Sequence, residues 1–232
     1  MEFDSVQIGA EDVAAGARAY ELLLGVSPIR RANGTVRFQL RCGAVEIEAG
    51  DPSLHSIRFT VGPHAAQAGW PADSFNGLRV YFAASTAKPS AAGPADAVEA
   101  IDHVVINTPD LDRAIALWRD RVGLRLALDR EFPTRALRLV FFRSGGVTLE
   151  FAGPLPPPPD RSGPDAFYGL AYRVPDLNAC CVRLQRAGVD VSEQRAGQKS
   201  GTIVATVRAH TASVPTLLIQ DLARNPEAPH HV

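Results

Sequence analysis

An internal repeat limits the possible folds of this 232-residue chain more than any other feature. Asp12 is followed 13 residues later by Gly25, and Asp110 is followed 13 residues later by Gly123. An aromatic residue stands eight positions after each aspartate. The spacing predicts two copies of one structural unit.

The two copies also agree at their far ends. The stretch "CGAVEIEAG" (Cys42–Gly50) matches "GGVTLEFAG" (Gly145–Gly153), and only the segment between start and end differs in length. In the second copy "IDHVVIN" alternates as a strand should, Asp110 can cap a helix, and Gly123 can end it. Each copy is therefore predicted to contain a strand, a helix and three further strands.

Two looser copies complete the chain. The stretch from "FYGLAYRV" to "TLLIQD" follows the same scheme, with "VDVSEQ" as one of its strands, whereas residues 55–85 have a strand at each end and too short a middle. The predicted fold is α+β. Four tandem βαβββ modules, the second degraded, form curled mixed sheets as half-open cups with helices outside.

Segments rich in Pro, Gly, Ser and Ala predict the domain boundaries. We expect an N-terminal lobe at residues 1–85, a linker at 86–97, a C-terminal lobe at 98–223 and a flexible tail at 224–232. The proline run in "GPLPPPPDRSGP" is expected to be an extended spacer between the two modules of the C-terminal lobe.

Charge and composition limit the kinds of binding partner that the sequence favours. Lys and Arg total 24 and Asp and Glu total 25, which gives a net charge of −1 and no electrostatic attraction to nucleic acid or an anionic membrane. No apolar run is long enough to span a bilayer, and the acidic start lacks the pattern of a secretion signal. Three cysteines without metal-type spacing fit a reducing compartment. We expect a cytoplasmic protein with a small-molecule partner, as a monomer or a homodimer.

The stretch "IDHVVINTPDLDRAIALWRDRVGLRL", together with the later strand "GGVTLEF", resembles a module of the vicinal oxygen chelate superfamily. This superfamily includes glyoxalase I, methylmalonyl-CoA epimerase, the extradiol dioxygenases and the bleomycin-resistance proteins. The resemblance covers most of residues 98–222 and, more weakly, residues 3–50. It implies the cup-shaped fold but no single activity.

The resemblance also implies a divalent metal bound in the cup by residues of the first and last strands. Here those residues are His103 and Glu150, which become both the catalytic and the metal-binding candidates. Strand alternation places Asn107 on the same face as His103, and Thr148 on the same face as Glu150. The substrate-binding candidates are Asn107, Phe142, Thr148 and Arg173. Mg, Mn, Zn, Ni and Fe are not distinguishable, and no organic cofactor is expected.

The other modules depart from the superfamily pattern. Gly169 and Leu217 stand where the fourth module would supply its histidine and glutamate. The first module has Ser5 and Ile47 in the two positions, with Glu46 and Glu48 each one residue away. Any ion would need water, substrate, or a residue such as Gln220 or His55 to complete its shell, so weak affinity is expected.

Alternatives remain for the two principal residues. A single histidine in a strand is usually a packing residue, and only its combination with Glu150 makes His103 a site candidate. Glu150 could be a general base with a raised pKa, in an apolar cup flanked by Phe142 and Phe151. It could instead form a salt bridge with Arg173, and Arg173 could equally hold a substrate carboxylate.

Two function classes follow. In one, the protein is a glyoxalase-like lyase or isomerase that abstracts a proton beside a carbonyl, assisted by Glu150 and a weakly held metal. In the other, it is a metal-free, resistance-type protein that binds a small molecule. A dioxygenase-like activity is a further alternative and would need another protein ligand.

Overall fold

Aspartate side chains begin all three α-helices of the described chain, as the repeat predicts. The helices are α1 (Val13–Leu24), α2 (Leu111–Ile115) and α3 (Leu177–Arg186), capped by Asp12, Asp110 and Asp176. Gly25 ends α1 with a φ of 69°, in the left-handed conformation that favours glycine. The second copy was predicted as one α-helix. Instead α2 continues as a π-helical segment, Ala116–Arg121, before Gly123.

The computed structural model describes residues 1–61, 74–84 and 93–224. Residues 62–73, most of the predicted linker and the predicted tail from residue 225 lie outside these ranges. The strands are β1 (Glu2–Ala10), β2 (Ile29–Arg30), β3 (Val36–Gln39), β4 (Ala44–Ala49), β5 (Leu54–Val61), β6 (Arg79–Ala84), β7 (Ala100–Asn107), β8 (Arg125–Phe132), β9 (Leu137–Ser144), β10 (Val147–Pro154), β11 (Ala166–Arg173), β12 (Arg195–Ala196), β13 (Thr202–Val207) and β14 (Thr216–Asp221).

The strands form two mixed sheets. One has six strands in the order β2-β3-β4-β1-β5-β6, and the other has eight in the order β12-β13-β14-β11-β7-β10-β9-β8. In each, the first strand of a module pairs parallel with the last strand of the same module, β1 with β4, β7 with β10 and β11 with β14. The predicted α+β fold of curled, open, mixed sheets is confirmed.

The fourth module differs from prediction in one strand. "VDVSEQ" was predicted to be a strand, but the structure has only an isolated bridge at Val191 and a two-residue strand, β12, after it. Of the second module, the described residues contain β5 and β6, which pair with each other in parallel.

Apolar side chains fill the space on the helix side of both sheets. Trp118, fully buried, lies 5.8 Å from Phe151 of its own lobe and 6.0 Å from Phe59 of the other, between ring centroids. The hydroxyl of Tyr20 on α1 donates to the carbonyl of Thr211 in the C-terminal lobe at 2.9 Å. The two lobes therefore share one core, and the helices pack within it.

The opposite face of the eight-stranded sheet carries none of the helices in the described ranges, and we call it the cup face. On β7, Val104 and Ile106 are fully buried toward the helices, whereas His103 and Val105 alternate with them and are partly exposed. Strand alternation thus turns His103 to the cup face.

Candidate functional site

His103 and Glu150 come together on neighbouring strands. In the parallel pairing of β7 with β10, Thr148 lies opposite His103 and Glu150 lies opposite Val105. His103 Nε2 is 3.7 Å from Glu150 Oε2, and each side chain is 18% exposed. The two groups are therefore close to each other and still open to a ligand.

Asp102 joins this pair, which the sequence did not predict. Strict alternation would turn Asp102 toward the helices, but the β7–β11 register shifts between Ala171 and Tyr172. Such a bulge re-aims a side chain. The Asp102 carboxylate lies 3.0 Å from His103 Nδ1, and Arg173 Nη1 donates to it at 3.3 Å. His103 thus has a carboxylate at each ring nitrogen.

Burial and charge shift all three pKa values. Burial alone would lower the pKa of His103, but its hydrogen bond to Asp102 and the charge of Glu150 outweigh burial and raise that pKa above its ordinary value. Burial raises the pKa of Glu150, and the charge of His103 only partly offsets this. Burial would also raise the pKa of Asp102, but His103 and Arg173 lower it overall.

The predicted substrate-binding residues are divided between the two faces. Thr148 and exposed Asn107 lie on the cup face, as expected. The expectation that Phe142 and Phe151 flank the cup is wrong. Phe142 lies opposite Leu149, is fully buried and packs edge-on against Phe151 on the helix side.

Phe141 takes the place predicted for Phe142. It lies directly opposite Glu150 and is partly exposed on the cup face. The next residue on that face is Arg143, exposed and opposite Thr148. A signal for both was available, because the two-glycine turn at Gly145–Gly146 fixes the hairpin register and hence which residues face Glu150.

Arg173 contacts two carboxylates, and neither is Glu150. Its Nε and Nη1 atoms lie 3.3 Å from Glu99 and from Asp102, and its side chain is 10% exposed. The predicted Glu150–Arg173 salt bridge is therefore wrong. Because one of these carboxylates belongs to Asp102, Arg173 positions Asp102 beside His103.

The residues that face the cup do not fit a tightly held metal ion. His103 and Glu150 supply one donor each, and no group of three or more metal-binding side chains occurs in the described parts of the chain. A histidine could not replace Gly169, since even a Cβ there would lie 2.6 Å from the carbonyl oxygen of Pro215. Two protein ligands rarely hold a structural ion.

The two residues proposed to complete a metal shell lie elsewhere. Gln220 is on the helix side, where its Oε1 accepts from the Leu177 amide at the start of α3. His55 belongs to the other sheet, with Nε2 2.8 Å from the Asp51 carbonyl. Both predictions are wrong, because neither side chain faces the cup.

The first lobe has its own glutamate in the place of Glu150. Glu46 lies opposite Gln7 on β1, as Glu150 lies opposite Val105 on β7. The sequence alignment placed Ile47 there, but Ile47 is fully buried on the helix side. The register between β1 and β4 differs by one residue from that alignment, and only strand pairing shows it.

A buried ionic network fills this first-lobe face. Arg37, with a side chain 4% exposed, lies 2.8 Å from Glu46 and 3.0 Å from Asp4. Glu46 also accepts from Gln7 at 3.1 Å and from Arg58 at 3.2 Å. Because these groups satisfy one another, the network occupies the place of a ligand.

Asp4 should make folding depend on pH. Burial would raise its pKa, but hydrogen bonds and charge from Arg37 outweigh this and lower it below its ordinary value. The unfolded chain then binds more protons in acid, so this stabilisation is present above the unfolded pKa, near 3.8, and is lost as pH falls through the folded value. In urea unfolding from about pH 6 to about pH 2, Asp4→Asn should differ most from the wild type at the upper end. A gap that stays constant or widens in acid would contradict this, and exposed Asp51→Asn is the control.

Sequence similarity to known proteins covers part of the chain, and structural similarity covers nearly all of it. Residues 102–206 match the model of the Glyoxalase/Bleomycin resistance protein/Dioxygenase superfamily. The ethylmalonyl-CoA/methylmalonyl-CoA epimerase of Cereibacter sphaeroides is 26% identical over 97 residues, which are 39% of this chain and 72% of that protein.

Two solved structures resemble nearly the whole chain. A halotolerant catechol dioxygenase and a variant of 4-hydroxymandelate synthase from Streptomyces coelicolor each superpose with a TM-score of 0.67 at 13% identity. They cover 94% of this chain, with 86% and 92% of their own lengths. At this identity the likeness shows the fold alone.

The fold and the paired strand residues define a cup-bearing protein of tandem βαβββ modules. The fold is that of the two solved structures, and residues 102–206, somewhat less than half of the chain, match the model of the glyoxalase, bleomycin-resistance and dioxygenase superfamily. None of the helices in the described ranges is long and apolar enough to cross a membrane.

Proposed function

We propose that this protein abstracts a proton from a carbon beside a carbonyl group of a small molecule, as an isomerase or lyase, with Glu150 as the base. The observation behind this proposal is the line of Asp102, His103 and Glu150 on the cup face, in which a carboxylate flanks each nitrogen of the histidine. A carboxylate beside a cationic imidazole suits a reaction that removes a proton and builds negative charge on oxygen.

Each residue has a separate task. A Glu150 oxygen takes the proton from the carbon, and the electron pair moves onto the carbonyl oxygen as an enolate. His103 keeps Nδ1 toward Asp102 and donates from Nε2 to that oxygen, while Arg173 fixes Asp102. Protonation of the enolate carbon on its opposite face completes an isomerisation, and loss of a leaving group from the neighbouring carbon completes a lyase reaction.

The sequence relative supports this class. It is an epimerase of ethylmalonyl-CoA and methylmalonyl-CoA, and the residues that align with it make up 39% of this chain. A dioxygenase fits less well, because the usual non-haem iron site takes two histidines and one carboxylate, and the described strands of this sheet carry one histidine, His103. The proposed steps need no group beyond these side chains.

One observation favours a second candidate, a metal-free protein that binds a small molecule. The half of the cup face formed by the fourth module is lined by Ala171, Leu217 and Ile219, which offer no side-chain donor. Such a surface can hold an apolar group without chemistry.

Proton exchange with solvent distinguishes the two candidates. Purified protein in D₂O is incubated with a panel that includes methylmalonyl-CoA, other branched acyl thioesters and small hydroxy-ketones, and mass spectrometry follows deuterium at the carbon beside the carbonyl. We expect catalysed exchange for at least one compound, unchanged by EDTA. Exchange abolished by EDTA and restored by a divalent ion would contradict the metal-free mechanism. Saturable binding without exchange across the panel would establish the binding protein.

A further inference from the structure

A second polar region lies on the cup face, away from the proposed catalytic residues. It is a cavity of about 610 Å³ lined mainly by Val191, Ser192, Glu193, Arg195, Thr206 and Arg208. Neither arginine is buried. Arg208 is 3.4 Å from Asp190, and Arg195 has no ion-pair partner among the residues that the structure describes.

Strand pairing connects this cavity with His103. His103 lies opposite Ala171 on β11, Ala171 opposite Leu217 on β14, and Leu217 opposite Thr206 on β13. Directly opposed residues point to the same face of a sheet, so Thr206 shares the cup face with His103. Three strand spacings of about 4.8 Å place the two ends about 14 Å apart along the sheet.

The surface between the two ends is apolar. Ala171 and Leu217 lie in the row itself, and Ile219 and Val204 form the neighbouring row, which ends at Arg195. The cup face thus has an acid–base pair at one end, an aliphatic middle and two guanidinium groups at the other. Guanidinium groups favour carboxylate and phosphate oxygens.

We propose that Arg195 and Arg208 bind the anionic far end, phosphate or carboxylate, of an extended substrate whose carbonyl end lies at His103 and Glu150. This inference rests on the proposed function for the identity of the reacting end, but the anion site itself does not depend on it. The substrate is then an acyl compound with an apolar middle and a charged tail. A three-carbon keto acid is too short to reach both ends.

Binding of simple anions tests the site without any reaction. Phosphate, pyrophosphate and glutarate are titrated separately into the protein, and NMR follows the arginine Nε–H signals. We expect saturable binding, and the relative affinities show whether phosphate or carboxylate is preferred. The double variant Arg195→Gln/Arg208→Gln should weaken binding about tenfold or more, because hydrogen bonds between charged groups are worth at least that factor.

Two further variants sharpen the result. Glu193→Gln removes the carboxylate that lines the cavity and should tighten anion binding. Arg186→Gln removes an exposed charge on α3, on the other side of the sheet, and should leave binding unchanged. Binding that is equally weakened by Arg186→Gln, unaffected by the double variant, or never saturable would overturn the proposal.

Kinetics separate a failure of this site from a failure of the proposed function. For substrates with a charged tail, the double variant should raise KM and leave kcat unchanged, whereas tail-less analogues should show no change in either. Catalysed exchange with an unaltered KM would reject the anion site and keep the function. Anion binding that depends on both arginines, in a protein without exchange, would keep the site and reject the function.

Discussion

Glu150→Gln should slow proton exchange by about 10²–10⁴-fold, the usual contribution of a positioned general base. The amide has the shape of the carboxylate but cannot accept the proton from carbon. Because Glu150 is 18% exposed and its nearest charged neighbour is His103 at 3.7 Å, the substitution should leave the fold intact. The exchange rate in D₂O and the thermal unfolding curve of the same preparation give both readouts.

A matched control is available on the same sheet. Glu131→Gln makes the same chemical change at an exposed residue of β8. In the pairing of β8 with β9, Glu131 lies opposite Arg138, and its side chain is on the face away from Glu150. It should exchange protons at the wild-type rate. If Glu150→Gln retained full activity with a folded structure, Glu150 would not be the base. A pure binding protein would show only a modest change in ligand affinity in this variant.

The second large effect concerns stability rather than chemistry. Arg37→Met should lower the free energy of unfolding by about 3–5 kcal/mol, because it removes the arginine that pairs with the largely buried Asp4 and the nearest of the arginines around Glu46. Both Asp4 and Glu46 lose their shortest ion pair in this variant. Urea unfolding measures the change, and Arg37→Lys, which keeps the charge but loses the bidentate contact, should lie between wild type and Arg37→Met.

The control for this prediction is Arg30→Met, at an exposed position on the neighbouring edge strand β2. It should change the free energy of unfolding by no more than about 0.5 kcal/mol. Equal stabilities of the two methionine variants would show that the ionic network of the first lobe contributes nothing measurable. That face would then again be a candidate ligand-binding surface.

Local sequence rules located most elements of the fold, although they missed the π-helical segment Ala116–Arg121 and predicted too long a strand at "VDVSEQ". Aspartate caps and glycine stops depend on side-chain donors, acceptors and φ values within a few residues, so Asp12 and Gly25 locate a helix directly. Strand alternation is equally local, and it placed His103, Asn107 and Thr148 on one face. The two-glycine turn at Gly145–Gly146 also contained enough information to place Phe141 correctly.

Register between distant strands could not be obtained in this way. The sequence alignment put Ile47 where the structure has Glu46, because β4 pairs with β1 one residue away from the aligned position. A shift of one residue turns every side chain of a strand to the other face. The bulge at Asp102 is of the same kind, because it depends on the partner strand β11. Neither is encoded in a short stretch of residues.

The sequence by itself determined the repeated module, the residues at which the helices begin and the alternation of side chains within each strand, because these follow from backbone geometry and side-chain size over a few positions. Only the tertiary structure decided what each polar group meets. In the folded chain, Asp102 and Glu150 lie on the two sides of His103, and Gln220 lies on the helix side of the sheet. Arg37 forms a buried ionic network on the corresponding face of the first lobe. The physical reason is that ion pairs and hydrogen bonds act over about 3–4 Å, between residues that are adjacent only after the strands have paired.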